Sequence, residues 1–191
     1  MRIISGVYKG RKLISPDSDM IRPTSDRAKE TLFNILNNRI NFEGMLCLDL
    51  FCGTGNLGLE CISRGASMCY FVDKKTELVT KNIALLGVQE KSKVIKSDAV
   101  YFLNSASSNK FDLVFCDPPY DFGDYETLIE RIAGLKSEVI LEHPGKFELD
   151  PQFDKYVYVK KKVGAVNFTL FDFGNEIGSD LKHDFENFTV E

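Results

Sequence analysis

The sequence predicts an α/β fold: one mostly parallel sheet of seven strands, helices on both faces, and an antiparallel last strand. Three observations predict it. Leu46, Cys47 and Leu48 are apolar without alternation, as in a strand covered on both faces. That strand runs into Gly53-Thr54-Gly55-Asn56-Leu57-Gly58, a glycine-rich turn that opens a helix. A second apolar strand, Phe111–Cys116, ends at another turn, Asp117-Pro118-Pro119-Tyr120. Such turns lie at the carboxyl edge of a parallel sheet, where α/β folds bind ligands.

A chain of 191 residues is one domain of ordinary size with a well-buried core. Its 43% hydrophobic and 27% charged content excludes a disordered chain. No run of about 18 apolar residues and no signal pattern occurs, so the expected location is the cytoplasm. Residues 1–23 read as an N-terminal extension and 174–191 as an acidic tail on that single domain.

In chain order, Arg2–Ser5 and Arg11–Ile14 flank a Gly6…Gly10 turn region and predict a β-hairpin. A polar loop from Pro16 to Pro23 precedes a helix capped by Thr24 or Ser25, with Ala28, Leu32, Ile35 and Leu36 on one face. Strand Met45–Leu50, helix Leu57–Arg64, strand Met68–Val72 and a helix from Thr76 to Leu86 follow, the last stopped by Gly87. Strand Lys93–Lys96, a short helix after Asp98, and strand Phe111–Cys116 complete the cofactor half. A helix over Tyr125–Ile132 leads to strand Glu138–Glu142, and Tyr156–Lys160 with Val166–Phe173 form an antiparallel pair.

The glycine turn is literally G-x-G-x-x-G, with Asp73 twenty residues after Gly53, which is the dinucleotide fingerprint. Asp49 opposes that reading, because a carboxylate four positions before the first glycine repels a pyrophosphate. S-adenosylmethionine (SAM) has no phosphate. It carries a sulfonium and an α-amino group, which a carboxylate attracts. The second motif favours SAM. Two prolines stiffen the turn after Asp117 and remove two N–H donors. The Asp117 carboxylate and the Pro118 carbonyl then become two acceptors that match the two N–H donors of an exocyclic amine, and Tyr120 offers a flat face for a base.

LDLFCGTG, the acidic strand end Val72-Asp73, Ser97-Asp98-Ala99 and DPPY, in this order, resemble the class I SAM-dependent amino-methyltransferases, which have a Rossmann-like fold. The flanks narrow the resemblance. Met1–Leu13, Arg22-Pro23-Thr24…Arg27…Glu30–Leu36 and Gly58-Leu59-Glu60…Ser63-Arg64-Gly65-Ala66 are similar to the RsmD family, over about residues 1–170. That resemblance implies methylation of a guanine N2 in bacterial small-subunit ribosomal RNA, within an assembling subunit, by a monomeric enzyme. It implies catalytic roles for Asp117, Pro118 and Tyr120. It implies cofactor contacts at Thr24, Asp49, Phe51, Gly53, Gly55, Asp73, Lys74, Asp98 and Ala99. Asp73 would take the ribose hydroxyls, since a carboxylate accepts from a vicinal diol. Asp98 would accept from the adenine amine beside the Ala99 N–H, although an Asp before a helix is equally a cap. Thr24 stays open between N-cap and cofactor contact. One departure is Val163 before Gly164, where relatives typically show Tyr.

The net charge of −4 is unevenly spread. Residues 1–31 hold seven basic and four acidic residues, and residues 172–191 hold six acidic and one basic. Arg2, Lys9, Arg11, Lys12, Arg22 and Arg27 are therefore the candidate contacts to an RNA backbone, with ordinary solvated charges as the alternative. Five cysteines without a C-x-x-C read as reduced small hydrophobes, and two distant histidines make no ligand cluster, so no metal is expected. Three other functions stay open: amino-methylation of another base, a SAM-binding RNA assembly factor without turnover, and, more distantly, a nicotinamide-dependent oxidoreductase.

Overall fold

Seven strands form one sheet in the order β3-β2-β1-β4-β5-β7-β6 in the computed structural model, which describes residues 1–16, 26–105 and 110–176. The strands are β1 (Leu46–Leu50), β2 (Met68–Asp73), β3 (Ser92–Lys96), β4 (Leu113–Cys116), β5 (Glu138–His143), β6 (Val157–Val163) and β7 (Val166–Asp172). The first five pair in parallel, and β7 runs antiparallel to both of its neighbours. Strand β1 lies between β2 and β4, so successive connections leave it in opposite directions. That reversal opens a crevice at the carboxyl ends of β1 and β4. Strand β6 ends the sheet and carries Lys160, Lys161 and Lys162, charges that discourage pairing with another chain.

Helices α1 (Asp26–Asn37), α2 (Asn56–Ser63) and α3 (Glu77–Leu86) cover one face, and α4 (Ala99–Ser105) and α5 (Tyr125–Ala133) the other. Alternation along each strand divides the core accordingly. Cys47, Phe71 and Phe115 pack with Phe33, Leu59 and Ile83, while Leu48, Val72 and Val114 pack with Phe102, Leu128 and Ile132. Helix α3 ends as expected, with Gly87 in the left-handed region at φ 70° and its N–H bonded to the Ala84 carbonyl. All five cysteines are buried and form no disulfide. No described helix is long and apolar enough to cross a membrane.

The N-terminal β-hairpin does not form as two strands. A single antiparallel bridge joins Arg2 and Lys12, held by the Ile3 N–H on the Arg11 carbonyl at 2.9 Å and the Leu13 N–H on the Met1 carbonyl at 3.2 Å. Past Ile3 the chain turns its backbone donors to α2 instead. Ile4 and Ser5 donate their N–H groups to the Glu60 carboxylate at 2.8 and 2.9 Å, Val7 donates to the Ser63 carbonyl, and Tyr8 donates to Ser63 Oγ. The segment is thus a loop clamped to the end of α2. Gly6 fits that clamp at φ +81°, and a Cβ there would lie 1.8 Å from the Ser63 carbonyl oxygen.

Glu60 is fully buried and also meets Lys29 at 3.1 Å and Arg64 at 2.9 Å. Lys29 is equally buried and donates to the Arg2 carbonyl and to Asn56 Oδ1. Burial lowers the Lys29 ammonium's affinity for its proton, and Glu60 opposes that shift. Lys29 therefore belongs to the interior, although its charge counts toward the basic N-terminal stretch. Thr24, Arg22 and the tail beyond residue 176 lie outside the described residues.

Removing Glu60 leaves the buried Lys29 ammonium without its counter-charge and two backbone donors without their acceptor. Glu60→Ala should cost about 3–5 kcal/mol of stability, measured by urea denaturation. A loss below about 1 kcal/mol would show that the pair is replaceable by water.

Candidate active site

The crevice at the strand ends is a cavity of about 720 Å³. Asp49, Phe51, Gly53, Asp73, Lys74, Asp98, Ala99, Asp117, Pro118 and Tyr120 all line it, so the described residues named from the sequence for cofactor and catalysis converge, with one exception. Gly55 lies behind the wall. It adopts φ 77°, and a Cβ there would meet Val79 Cγ2 at 2.6 Å, so this glycine lets α2 approach α3. Pro16 also lines the cavity, which brings the clamped N-terminal segment to its mouth.

Strand β1 supplies the floor. Asp49 is 2% exposed and accepts the Gly58 N–H at 2.9 Å. Burial pushes its carboxyl up to about 8, the Gly58 bond opposes the shift, and nearby Asp73 adds to it. Phe51 then takes φ 56°, a conformation costly for a bulky residue, of the sort that collects at working sites. Its ring packs edge-on against Phe122.

Asp73 ends β2. Its carboxylate accepts the Gly53 N–H at 2.8 Å and the Lys75 N–H at 2.9 Å. Two backbone bonds fix the group, and a carboxylate has lone pairs left for a diol. Asp98 caps α4 by accepting the Tyr101 N–H at 3.1 Å and pairs with Lys74 at 2.9 Å. The hydrogen bond from Lys74 leads the causes that hold its carboxyl below the ordinary value. The cap expected of an Asp before a helix is therefore present, and the same residue faces the cavity.

Asp117 follows β4. Burial, then Glu142, then Asp49 raise its carboxyl well above the ordinary value. The turn after it is closed by the Phe122 N–H donating to the Pro119 carbonyl at 2.8 Å. Pro118 is buried, whereas Tyr120 is half exposed at the rim. Glu142, 5% exposed at the end of β5, shares the cavity and was not singled out by the sequence reading. The signal existed: it is another acidic residue closing an apolar strand. Beneath this group the Tyr125 hydroxyl is buried with no hydrogen-bond partner, and its pKa rises to about 12, chiefly through burial.

Six carboxyl groups, those of Asp49, Asp73, Glu77, Asp98, Asp117 and Glu142, thus line one cavity, against the two ammonium groups of Lys74 and Lys75. That donor set fits a cationic ligand and opposes a pyrophosphate. Asp49 would hold the charged end of SAM, and Asp73 its ribose. Outside the cavity, Arg2, Lys9, Arg11 and Lys12 are exposed on the clamped segment and Arg27 on α1.

The family described as Conserved hypothetical protein 95 matches residues 1–172. The chain belongs to the RsmD and YlbH family of class I SAM-dependent methyltransferases. YlbH of Bacillus subtilis is 35% identical over 172 residues, covering 85% of this chain and 92% of that one. The Escherichia coli protein named Ribosomal RNA small subunit methyltransferase D is 41% identical over 147 residues, covering 74% and 72%. Among solved structures, the Escherichia coli protein yhhF superposes with a TM-score of 0.77 at 32% identity, covering 90% of this chain and 96% of that one.

A proton on Asp49 competes with a cation. Below its value of about 8 the free protein holds that proton, so SAM affinity should rise with pH through 6–8 and level off above. The slope approaches about tenfold per pH unit. Calorimetry on wild type and Asp49→Asn separates this carboxyl from the cofactor's own amino group. Parallel profiles for the two proteins would remove Asp49 from the cofactor site.

Proposed function

We propose that this protein methylates the exocyclic N2 amine of a guanine in small-subunit ribosomal RNA, using SAM, with one chain as the active unit. The observation that supports it is the meeting of the Asp117–Tyr120 turn and the acidic floor around Asp49 in a single cavity. SAM supplies an electrophilic methyl group carried on a sulfonium.

The chain's own groups do the rest. The guanine amine is a weak nucleophile because its lone pair is delocalised into the ring. Asp117 and the Pro118 carbonyl each accept one amine hydrogen, which turns the nitrogen tetrahedral and frees its lone pair. Burial at Pro118 and Cys116 keeps water from competing for those acceptors. Positioning and stabilisation of developing positive charge are the main contributions. The raised proton affinity of Asp117 matches a group that must hold the proton shed by the methylated amine. Tyr120, half exposed at the rim, stacks on a base taken out of its helix. Lys9, Arg11 and Lys12 guide the phosphate backbone toward the mouth marked by Pro16.

Asp117→Ala should slow single-turnover methylation of ribosomal RNA, at saturating SAM, on the order of 10²–10³-fold. Asp117→Asn should keep more activity, since its amide oxygen still accepts. A wild-type rate for the alanine variant would show that the turn does not carry the chemistry.

Charge reversal of Lys9, Arg11 and Lys12 should leave SAM affinity intact. It should weaken RNA binding and flatten its salt dependence by roughly two to three units of slope. An unchanged slope in filter binding would confine the segment to a structural role.

A further inference from the structure

An Asp-Pro-Pro-Tyr turn recognises an amine, not a base. Its two acceptors fit the amine of adenine as well as that of guanine. The atom beside the amine tells the bases apart: in guanine N1 bears a hydrogen, whereas in adenine N1 is a lone pair. A site selective for guanine needs a third acceptor next to Asp117.

The sheet provides one. Strands β4 and β5 pair in parallel with Cys116 opposite Leu141, so Asp117 and Glu142 are the next residues of neighbouring strands, at the same level. Neighbouring strands lie about 4.8 Å apart. Both residues line the cavity, and Glu142 is only 5% exposed. Strand β5 is paired on both sides, and Glu142 itself sits opposite Phe168 of β7, so its backbone is fixed as a loop residue's would not be. The field of Glu142 is felt at Asp117, where it ranks second only to burial in raising the carboxyl.

We infer that Glu142 selects the target base as guanine by accepting its N1–H beside the amine held by Asp117 and Pro118. The inference rests on the guanine-N2 reading above. The guanine edge then brings three N–H donors to three acceptors: N1–H to Glu142, and the two amine hydrogens to Asp117 and the Pro118 carbonyl. An adenine placed with its amine on the turn would aim the N1 lone pair at a carboxylate, which leaves both unsatisfied and repelling. The turn supplies reactivity and Glu142 supplies selectivity.

The test uses ribosomal RNA carrying either guanosine or 2-aminopurine at the methylated position. 2-Aminopurine keeps the 2-amine but has neither N1–H nor O6. Single-turnover rates at saturating SAM give the selectivity ratio. Wild type should prefer guanosine on the order of 100-fold. Glu142→Gln, whose amide both donates and accepts, should lower the ratio at least about tenfold, with SAM affinity retained as the control for folding. An unchanged ratio overturns the inference. An equal loss on both bases also overturns it, because Glu142 would then act through Asp117. Wild type alone decides as well: equal rates on the two bases overturn the inference without any variant. Failure of wild type to methylate any guanine would instead bring down the guanine-N2 reading, and this inference with it.

Discussion

The hydrogen bond from the Gly58 N–H to Asp49 Oδ2 is the contact on which the rest of the structure depends. It joins the first turn of α2 to the middle of the sheet. It exists only because residue 58 has no side chain: a Cβ there would lie 2.5 Å from Cys69 Sγ and from the Phe71 ring, and 3.0 Å from Asp49 Oδ2. With α2 seated so closely, its N-terminus borders the cavity and its later turns carry Glu60 and Ser63 to the N-terminal segment. Asn56 connects the two ends, since it lines the cavity and accepts from Lys29, which holds Glu60. Cofactor floor, helix and N-terminal clamp are therefore one mechanical unit.

Electrostatics work against the ionised forms of two of the site's acids. Asp49 and Asp117 are both pushed toward the protonated form, chiefly by burial and then by neighbouring carboxylates. A cavity lined this way pays in stability for its affinity toward cations and N–H donors, because ligand charges replace the water that the fold has removed. The contrast with Glu60 is instructive. That carboxylate is as buried as Asp49, yet Lys29, Arg64 and two backbone N–H groups surround it. One buried acid is satisfied by the protein and holds the fold; the other faces the cavity.

The same distinction explains what was legible in the chain. Strands β1, β2, β4 and β5 follow from mainly apolar runs, and the acidic residues at or just after their ends mark the ligand edge of the sheet. Asp49, Asp73, Asp98 and Asp117 could be found this way because each is followed by a recognisable turn. Glu142 also precedes a proline–glycine turn, Pro144-Gly145, but nothing local ties that turn to the others; the pairing of β4 with β5 reveals its place next to Asp117. Gly55 read as a ligand-facing glycine because its motif position outweighs any local cue to Val79, a contact made by a different helix.

By itself, the sequence determined the parallel sheet, its two acidic turns and the convergence of Asp49, Asp73 and Asp117, because periodicity and turn chemistry are local properties of the chain. Only the tertiary structure decided the fate of the N-terminus. Arg2–Ile14 has the pattern of a hairpin, and Arg2 and Lys12 still bridge, with the Ile3 N–H on the Arg11 carbonyl. The pairing extends no further because the Glu60 carboxylate and Ser63, some 55 residues away in sequence, take the Ile4, Ser5 and Tyr8 N–H groups. The bonds to that buried carboxylate are charge-assisted. The register of β4 on β5 likewise fixes what no local pattern contains: two acids from different strands held side by side.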